Sequence, residues 1–402
     1  MKEREDMIMM DQLRAAMQES IAKQEVAGVN VLVQRGEEEI CFLAEGMADI
    51  EAQKKFERDT IFRLYSQTKP ICAAAAMILV ERGKLDLMQP VSQLLPGFKN
   101  QKVWENGEDR PVKREATVYD MLSMTSGLYY PDDTCESGRQ MGALFQELDQ
   151  RLFSDHPMTT IELANRIGQC SLNYDPGSLW HYGTSADVVG AIVEVVSGMK
   201  FGTFLKKEIF EPLGMKDTAF YVPAEKQDRL AKVYETRTDE TGNHLILYTG
   251  NHLGIQNKME LEPAYEAGGA GLVSTLDDYM KFAKMLRNGG VLNGKRILKE
   301  ETVKFFTNSQ LMEWQQRSFE DKFYLLGYSY GKLMRVCTDP AKATTLARMG
   351  EYGWDGWLGA YFANFSQEDM TILIGMQKRD AGTWDLTRKI RNIVLSNLSA
   401  VD

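Results

Sequence analysis

A serine and a lysine, three residues apart, stand where the chain changes from polar to apolar. Ser66 and Lys69 lie in the segment "LYSQTKP", and ten unbroken apolar residues follow from Ile71 to Val80. On a helix, side chains at this spacing lie on one face, so a hydroxyl and an amine would meet. Burial disfavours a charged amine, so a lysine at the edge of an apolar interior can be held neutral. The pair could therefore act as a nucleophile and its general base.

The spacing itself is common in this chain. Ser-x-x-Lys occurs four times, at Ser20–Lys23, Ser66–Lys69, Ser197–Lys200 and Ser329–Lys332. Of these, only Ser66 is predicted to open a helix, and Pro70 is tolerated in a first turn. On the helix alone, two interpretations remain open. Ser66 is either a nucleophile with Lys69 as its base, or an ordinary N-cap with Lys69 solvated beside it.

The elements around this pair predict an α+β fold. Helical periodicity over residues 7–23 is followed by a hairpin signature, and the β-rich segments "YSYGKLMRV", "GWLGAYFANF" and "MTILIGMQ" return near the C-terminus before a closing helix. We expect one antiparallel sheet, flanked by the terminal helices, in a discontinuous α/β domain of residues 1–64 and 260–402. A mainly helical domain of residues 65–259 is inserted, with the active site in the cleft between the two.

Composition and charge exclude several classes of partner. A net charge of −10 disfavours binding to nucleic acid or to an anionic membrane. No apolar stretch approaches the roughly 18 residues that span a bilayer, and the N-terminus lacks the apolar core of a signal peptide. Five scattered cysteines without CxxC spacing predict reduced thiols in a cytoplasmic protein. Four histidines without ligand spacing predict no metal, and no cofactor is expected.

Six ordered segments resemble the serine β-lactamases and penicillin-binding proteins, and most of all their class C β-lactamase-like esterases and acyltransferases. The segments are "LYSQTKP" with "LVERGKLDL", "MLSMTSGL", "PGSLWHY", "EPLGMKDTAF", "GGAGLVST" and "YGWDGWLGAYF". The resemblance runs from about Gly28 to Gln377 and implies a β-lactamase/transpeptidase-like fold. It makes Ser66 the acylated serine and Lys69 its hydrogen-bonded base.

The same resemblance implies roles for two distant residues. Tyr182, in "WHYGTS", matches the tyrosine of the Tyr-x-Asn motif. Its phenol would shuttle a proton between nucleophile and leaving group, with a pKa lowered by the adjacent lysine. The backbone N–H groups of Ser66 and Trp357 would form the oxyanion hole. Whether Lys69 or Tyr182 takes the first proton stays open, as does a structural role for Tyr182 as an aromatic at the edge of the core.

Departures from the family pattern bear on the substrate. Thr184 stands where Tyr-x-Asn has its asparagine, and Trp354-Asp355-Gly356 replaces Lys-Thr-Gly. All four residues are expected to contact the substrate, although Trp354 could instead be strand-end packing. Exchanging a cation for an indole and adding a carboxylate disfavours anionic substrates, so hydrolysis of a neutral ester, or transfer of its acyl group, is predicted.

Other functions remain open at this stage. One is a weak β-lactamase or D-amino-acid amidase or peptidase of the same superfamily. Another is a non-catalytic scaffold or ligand-binding protein that keeps the fold. In each case the expected partner is a small molecule, and the sequence makes no prediction of the oligomeric state.

Overall fold

The computed structural model describes residues 2–322 and 325–397, with side chains from Met7 onward. The helices are α1 (Lys2–Ala22), α2 (Lys69–Glu81), α3 (Val118–Leu122), α4 (Glu136–Arg151), α5 (Thr160–Gln169), α6 (Ser185–Ser197), α7 (Phe201–Leu205), α8 (Glu211–Leu213), α9 (Leu276–Arg287), α10 (Glu300–Phe306), α11 (Glu313–Glu320) and α12 (Asp385–Asn397). The strands are β1 (Gly28–Arg35), β2 (Glu38–Asp49), β3 (Lys54–Lys55), β4 (Phe62–Arg63), β5 (Lys102–Glu105), β6 (Glu108–Pro111), β7 (Val233–Asp239), β8 (Gly242–Tyr248), β9 (Val273–Ser274), β10 (Val291–Leu292), β11 (Lys295–Arg296), β12 (Tyr328–Tyr330), β13 (Arg335–Cys337), β14 (Tyr352–Asp355), β15 (Tyr361–Phe365) and β16 (Met370–Met376).

Both ends of the chain build one sheet. Its eight strands lie in the order β12-β13-β14-β15-β16-β1-β2-β3, and neighbours are antiparallel. Successive side chains of a strand point to opposite faces, so β1 serves two cores. Val31 packs in the core formed with α1 and α12, whereas Leu32 packs in the core shared with the middle of the chain. The predicted antiparallel sheet with terminal helices is confirmed.

The helical middle of the chain lies between two short strands. β4 pairs with β9, so that Phe62 faces Ser274 and the chain leaves and rejoins the sheet region at one place. α2 is buried from Lys69 to Leu79, which explains why its sequence has no polar face. The hairpin β7–β8 lies within the residues expected to be mainly helical, but Tyr234 donates its backbone N–H to the Gln377 carbonyl beside the sheet, at 3.0 Å. The proposed domain bounds stay a prediction.

Two properties of the described residues limit what the fold can hold. Among the described residues, no single helix is long and apolar enough to cross a membrane. By length and composition alone, α6 and the segment Phe201–Leu213 together would be long and apolar enough, but they are bent by 75° to each other. In residues 2–322 and 325–397, no group of three or more His, Cys, Asp or Glu side chains is arranged to hold a metal ion. The cysteines are free thiols.

Candidate active site

Ser66 lies in a tight turn directly before α2. Residues Tyr65–Thr68 form a 3₁₀ turn, so the α-helix begins at Lys69, slightly later than the sequence suggests, with Pro70 in its first turn. A 3₁₀ turn aligns side chains three positions apart, so Ser66 and Lys69 still meet. Tyr65 has φ of +45°, a conformation that is costly for a residue with a side chain and that clusters at functional sites.

Lys69 is completely buried, and its amine contacts Ser66 directly. Nζ donates hydrogen bonds to Ser66 Oγ at 3.0 Å, to the Tyr130 hydroxyl at 3.1 Å and to the Gly269 carbonyl at 2.7 Å. Burial lowers the pKa of Lys69 to about 8, and the negative charge of Asp187 only partly opposes this shift. The amine can therefore lose its proton near neutral pH, as a general base requires.

Tyr182 lies beside the same pair, but its pKa is shifted in the direction opposite to the one expected. Its hydroxyl accepts a hydrogen bond from Trp354 Nε1 at 3.0 Å, and its ring centre lies 4.7 Å from Lys69 Nζ. Burial raises the pKa of Tyr182 above its ordinary value, although Ser66 and Trp354 act to lower it. The expectation that the lysine would lower this pKa is wrong, because desolvation of a phenolate outweighs its neighbours. At neutral pH the residue is a neutral phenol.

The turn after β14 lies very close to the 3₁₀ turn that contains Ser66. A Cβ on Gly356 would lie 2.1 Å from the Leu64 carbonyl oxygen, so only glycine fits there. This close approach brings the next residue, Trp357, beside Tyr65, with ring centres 4.9 Å apart. Within the described chain, the backbone N–H groups of Ser66 and Trp357 donate to no acceptor. Two free N–H groups suit the predicted oxyanion hole, whose role stays a prediction.

Three of the four residues expected to contact the substrate line the cleft. These are Trp354, Asp355 and Gly356. Thr184 does not: it is fully buried and its carbonyl accepts the first backbone hydrogen bonds of α6, so the expected substrate contact is wrong. Asp355 supplies the expected carboxylate, but Arg335 Nη1 lies 3.3 Å from its Oδ1. The buried guanidinium offsets the negative charge, so Asp355 repels anions less than the sequence suggests.

The cleft has a volume of about 790 Å³, and its lining combines aromatic rings with charged side chains, among them Lys322 and Arg388. Its aromatic residues are Tyr65, Tyr129, Tyr130, Trp180, His181, Tyr182, His252, Trp354 and Trp357. Trp357 is itself held by a hydrogen bond from Nε1 to Asp380 at 2.6 Å and by His252, whose ring stacks on it at 4.0 Å. A cavity of this size and lining suits a small molecule with apolar groups.

Comparison with known proteins places this site in a family. The family model described as Beta-lactamase matches residues 13–396. The chain belongs to the beta-lactamase family. Esterase EstB of Burkholderia gladioli is 30% identical over 393 residues, covering 95% of this chain and 94% of EstB. Protein Rv1367c of Mycobacterium tuberculosis is 32% identical over 323 residues, covering 79% of this chain and 76% of that protein.

A solved structure agrees with the family assignment. "EstCE1, a hydrolase with promiscuous acyltransferase activity" superposes with a TM-score of 0.79 at 25% identity, covering 97% of this chain and 99% of that one. The β-lactamase/transpeptidase-like fold predicted from the sequence is thus confirmed. This member of the beta-lactamase family is a serine hydrolase or acyltransferase of the β-lactamase-like type.

Three groups around Lys69 in this beta-lactamase family member were not predicted from its sequence. Tyr130 contacts the amine, the Gly269 carbonyl accepts from it, and Asp187 lies behind that carbonyl. Each lies beside a recognised segment, after "MLSMTSGL", in "GGAGLVST" and after "WHY". That position was the only signal available, because no spacing links them to Lys69.

Proposed function

We propose that this protein is a serine esterase that cleaves neutral carboxylic esters through an acyl-enzyme on Ser66. The observation that carries the proposal is the 3.0 Å distance between the buried Lys69 Nζ and Ser66 Oγ, across which a neutral amine can accept the hydroxyl proton, beside a cleft that Ser66 lines. Similarity to EstB, an esterase, supports an ester substrate. Similarity to EstCE1, a hydrolase with promiscuous acyltransferase activity, supports transfer of the acyl group to an alcohol as a side reaction.

The contacts support a definite order of proton transfers. Ser66 Oγ bonds to the ester carbonyl carbon while its proton passes to the neutral Lys69 amine. The N–H groups of Ser66 and Trp357 stabilise the oxyanion. The bond from carbon to the alcohol oxygen then breaks, and the proton reaches that oxygen from Lys69 through the Tyr182 phenol. Water, or a second alcohol, then attacks the acyl carbonyl and gives a proton to Lys69. As the bond from the acyl carbon to Ser66 Oγ breaks, Lys69 passes this proton to Oγ, which restores the free serine and the neutral amine.

The walls of the cleft support a neutral substrate. An indole occupies the strand position where the related β-lactamases carry a lysine, and it is engaged with Tyr182. Asp355 is paired with Arg335, so it offers neither strong attraction nor strong repulsion. The aromatic rings of the lining favour binding of an apolar acyl or alcohol group, and the other charged side chains of the cleft include both acids and bases.

The test combines a chromogenic ester with a covalent probe. We expect p-nitrophenyl butyrate to give a burst of nitrophenol, and a fluorophosphonate to form one adduct, on Ser66. Ser66→Ala abolishes both. The matched control is Ser329→Ala, which removes a buried serine of another Ser-x-x-Lys pair, whose hydroxyl accepts a hydrogen bond from Ser309 at 2.8 Å.

Three outcomes contradict the proposal. An adduct on another serine rejects Ser66 as the nucleophile, and an active Ser66→Ala variant rejects the acyl-enzyme. Hydrolysis of nitrocefin with a higher kcat/KM than the ester rejects the substrate class and favours a β-lactamase. Added butanol measures acyl transfer, because it accelerates nitrophenol release when breakdown of the acyl-enzyme limits turnover.

A further inference from the structure

A buried carboxylate that does not line the cleft stands behind the general base. Asp187 is in the first turn of α6, five residues after Tyr182, and is almost completely buried. Its Oδ1 accepts hydrogen bonds from the Tyr265 hydroxyl at 2.7 Å and from the Gly269 N–H at 2.9 Å. The free N–H groups of a first helical turn also favour a negative charge at this position.

Gly269 links this carboxylate to the lysine through the two successive peptide units that flank its Cα. Its N–H donates to Asp187, and its carbonyl accepts from Lys69 Nζ at 2.7 Å. These peptide units have almost no room to move. A Cβ on Gly269 would lie 2.9 Å from Asp187 Oδ2 and 3.0 Å from the Tyr130 hydroxyl, and one on Gly268 would lie 2.3 Å from the Ala186 carbonyl. Asp187 therefore fixes the direction of the carbonyl that orients the amine.

The charge of Asp187 also acts on Lys69. The titratable groups facing the amine are Asp187 from α6, Cys72 from α2 itself, Asp355 from β14 and the phenols of Tyr130 and Tyr182. Asp355 is paired with Arg335, and burial raises the pKa of the Cys72 thiol well above its ordinary value, which keeps it neutral. Burial raises the pKa of Asp187 as well, but the charge of Lys69 and the hydrogen bonds from Tyr265 and Gly269 act to lower it and favour the carboxylate.

We propose that Asp187 is a positioning residue for Lys69: it fixes the Gly269 backbone that holds the amine and places a buried negative charge behind it. The inference rests on the proposed function, in which neutral Lys69 is the base. Two substitutions distinguish the effect of the hydrogen bonds of Asp187 from the effect of its charge. Asp187→Asn keeps an acceptor oxygen for Gly269 and Tyr265 but removes the charge, whereas Asp187→Ala removes both.

The test is the pH dependence of kcat/KM for p-nitrophenyl butyrate. A nearby carboxylate stabilises the charged amine, so its removal lowers the pKa of Lys69. We expect the acid limb of Asp187→Asn to move to lower pH by about one unit, with the high-pH plateau within about threefold of wild type. We expect Asp187→Ala to lower the plateau about 100-fold, because the amine loses its orientation.

Asp278→Asn is the matched control, because Asp278 is also a buried first-turn carboxylate, on α9, that accepts a backbone N–H, from Asp217 at 2.6 Å. Asp278 is not among the charged groups that act on Lys69, so the acid limb of this variant stays at the wild-type midpoint. An unmoved limb in Asp187→Asn, or a shift to higher pH, overturns the inference, and Asp187→Asn decides it even if Asp187→Ala fails to fold.

A readout without activity separates this inference from the proposed function. The amine resonance of Lys69 in [ε-¹⁵N]lysine-labelled protein, assigned with Lys69→Met, gives its pKa directly. If wild type neither hydrolyses the ester nor forms the fluorophosphonate adduct, the proposed function fails. The inference then survives only if Asp187→Asn still lowers the titration midpoint of Lys69.

Discussion

Lys69 and Tyr182 adjoin the same hydroxyl, but burial affects them in opposite ways. Burial disfavours the charged form of each group, so it lowers the pKa of the amine and raises that of the phenol. The choice between the two as first proton acceptor, open from sequence, therefore becomes a question about pH. A neutral amine is available near neutral pH, whereas a phenolate is not.

The first prediction is the pH profile of the wild-type enzyme. If neutral Lys69 is the base, kcat/KM is high above its pKa and falls as pH drops through about 8. A phenolate base would instead place the rise far above that pH. Ester hydrolysis measured from about pH 6 to about pH 10 separates the two. A rate that is flat across this range contradicts both assignments.

The second prediction compares the two tyrosines that adjoin Lys69. Tyr182→Phe should lower kcat about 100- to 1,000-fold, because the proton loses its route to the leaving oxygen. Tyr130→Phe should lower it about tenfold or less, because Tyr130 bonds to the amine and Ser66 keeps its own hydrogen bond to Lys69. Single-turnover rates with p-nitrophenyl butyrate measure both. A larger loss for Tyr130→Phe would exchange their roles.

At the scale of elements, two tight turns create the site. The 3₁₀ turn before α2 exposes the Ser66 N–H, and the turn from β14 to β15 supplies that of Trp357. The turns meet at a single contact, where the Gly356 backbone lies against the Leu64 carbonyl. The geometry of the predicted oxyanion hole therefore depends on a backbone separation that a methyl group would change.

The third prediction is that Gly356→Ala lowers kcat about 100- to 1,000-fold, the usual cost of one displaced oxyanion donor. The added Cβ would meet the Leu64 oxygen at 2.1 Å, so β14 and the Trp357 N–H must shift. Gly142→Ala is the control: it lies inside α4, and its Cβ would meet no atom within 4 Å. Both variants are assayed with p-nitrophenyl butyrate. Equal activity of the two would remove Trp357 from the oxyanion hole.

At this scale, structure that depends on residues close together in the sequence could be predicted, whereas contacts between distant residues could not. The apolar stretch after Pro70 specifies α2, and Thr117 with Asp120 forms a capping box, both of them local patterns. Tyr130 and Gly269 could not be predicted, because they lie 61 and 200 residues from Lys69 and only the tertiary fold brings them to it. The direction of the pKa shift of Tyr182 was predicted wrongly for a similar reason. The sequence indicates that Lys69 is its neighbour, but it does not show how deeply the phenol is buried.

At the scale of the whole molecule, the order of the sheet strands and helices could be predicted from the sequence. The polar contacts that hold these elements together could not. The alternating strands at both ends indicate one sheet, as found. The approach of β7–β8 to the sheet beside Gln377 has no signal in the sequence. Nor does the pairing of Arg391, on α12, with Glu351, at 2.9 Å, with side chains 2% and 1% exposed. Hydrophobic patterns specify layers, whereas buried ion pairs depend on register between distant segments.

The fourth prediction is that the buried ion pair between Arg391 and Glu351 stabilises the packing of α12 against the sheet. Arg391 also donates to the hydroxyls of Tyr328, on β12, and Tyr361, on β15, so one side chain joins α12 to two strands. Removing it leaves Glu351 as an unpaired buried carboxylate, so Arg391→Met should reduce the free energy of unfolding in urea by about 3–5 kcal/mol. Arg317→Met, the control, breaks an exposed pair with Glu313 in which the side chains are 76% and 84% accessible, and should cost about 0.5 kcal/mol or less.

Because α12 also carries Arg388 into the cleft, ester hydrolysis by Arg391→Met should disappear at the urea concentration at which this helix detaches. Tryptophan fluorescence and hydrolysis, followed through the same titration, should then change together. Equal destabilisation by the two arginine variants would mean that the apolar contacts of α12, such as Ile390 and Val394 in the core beneath it, hold the helix without the ion pair.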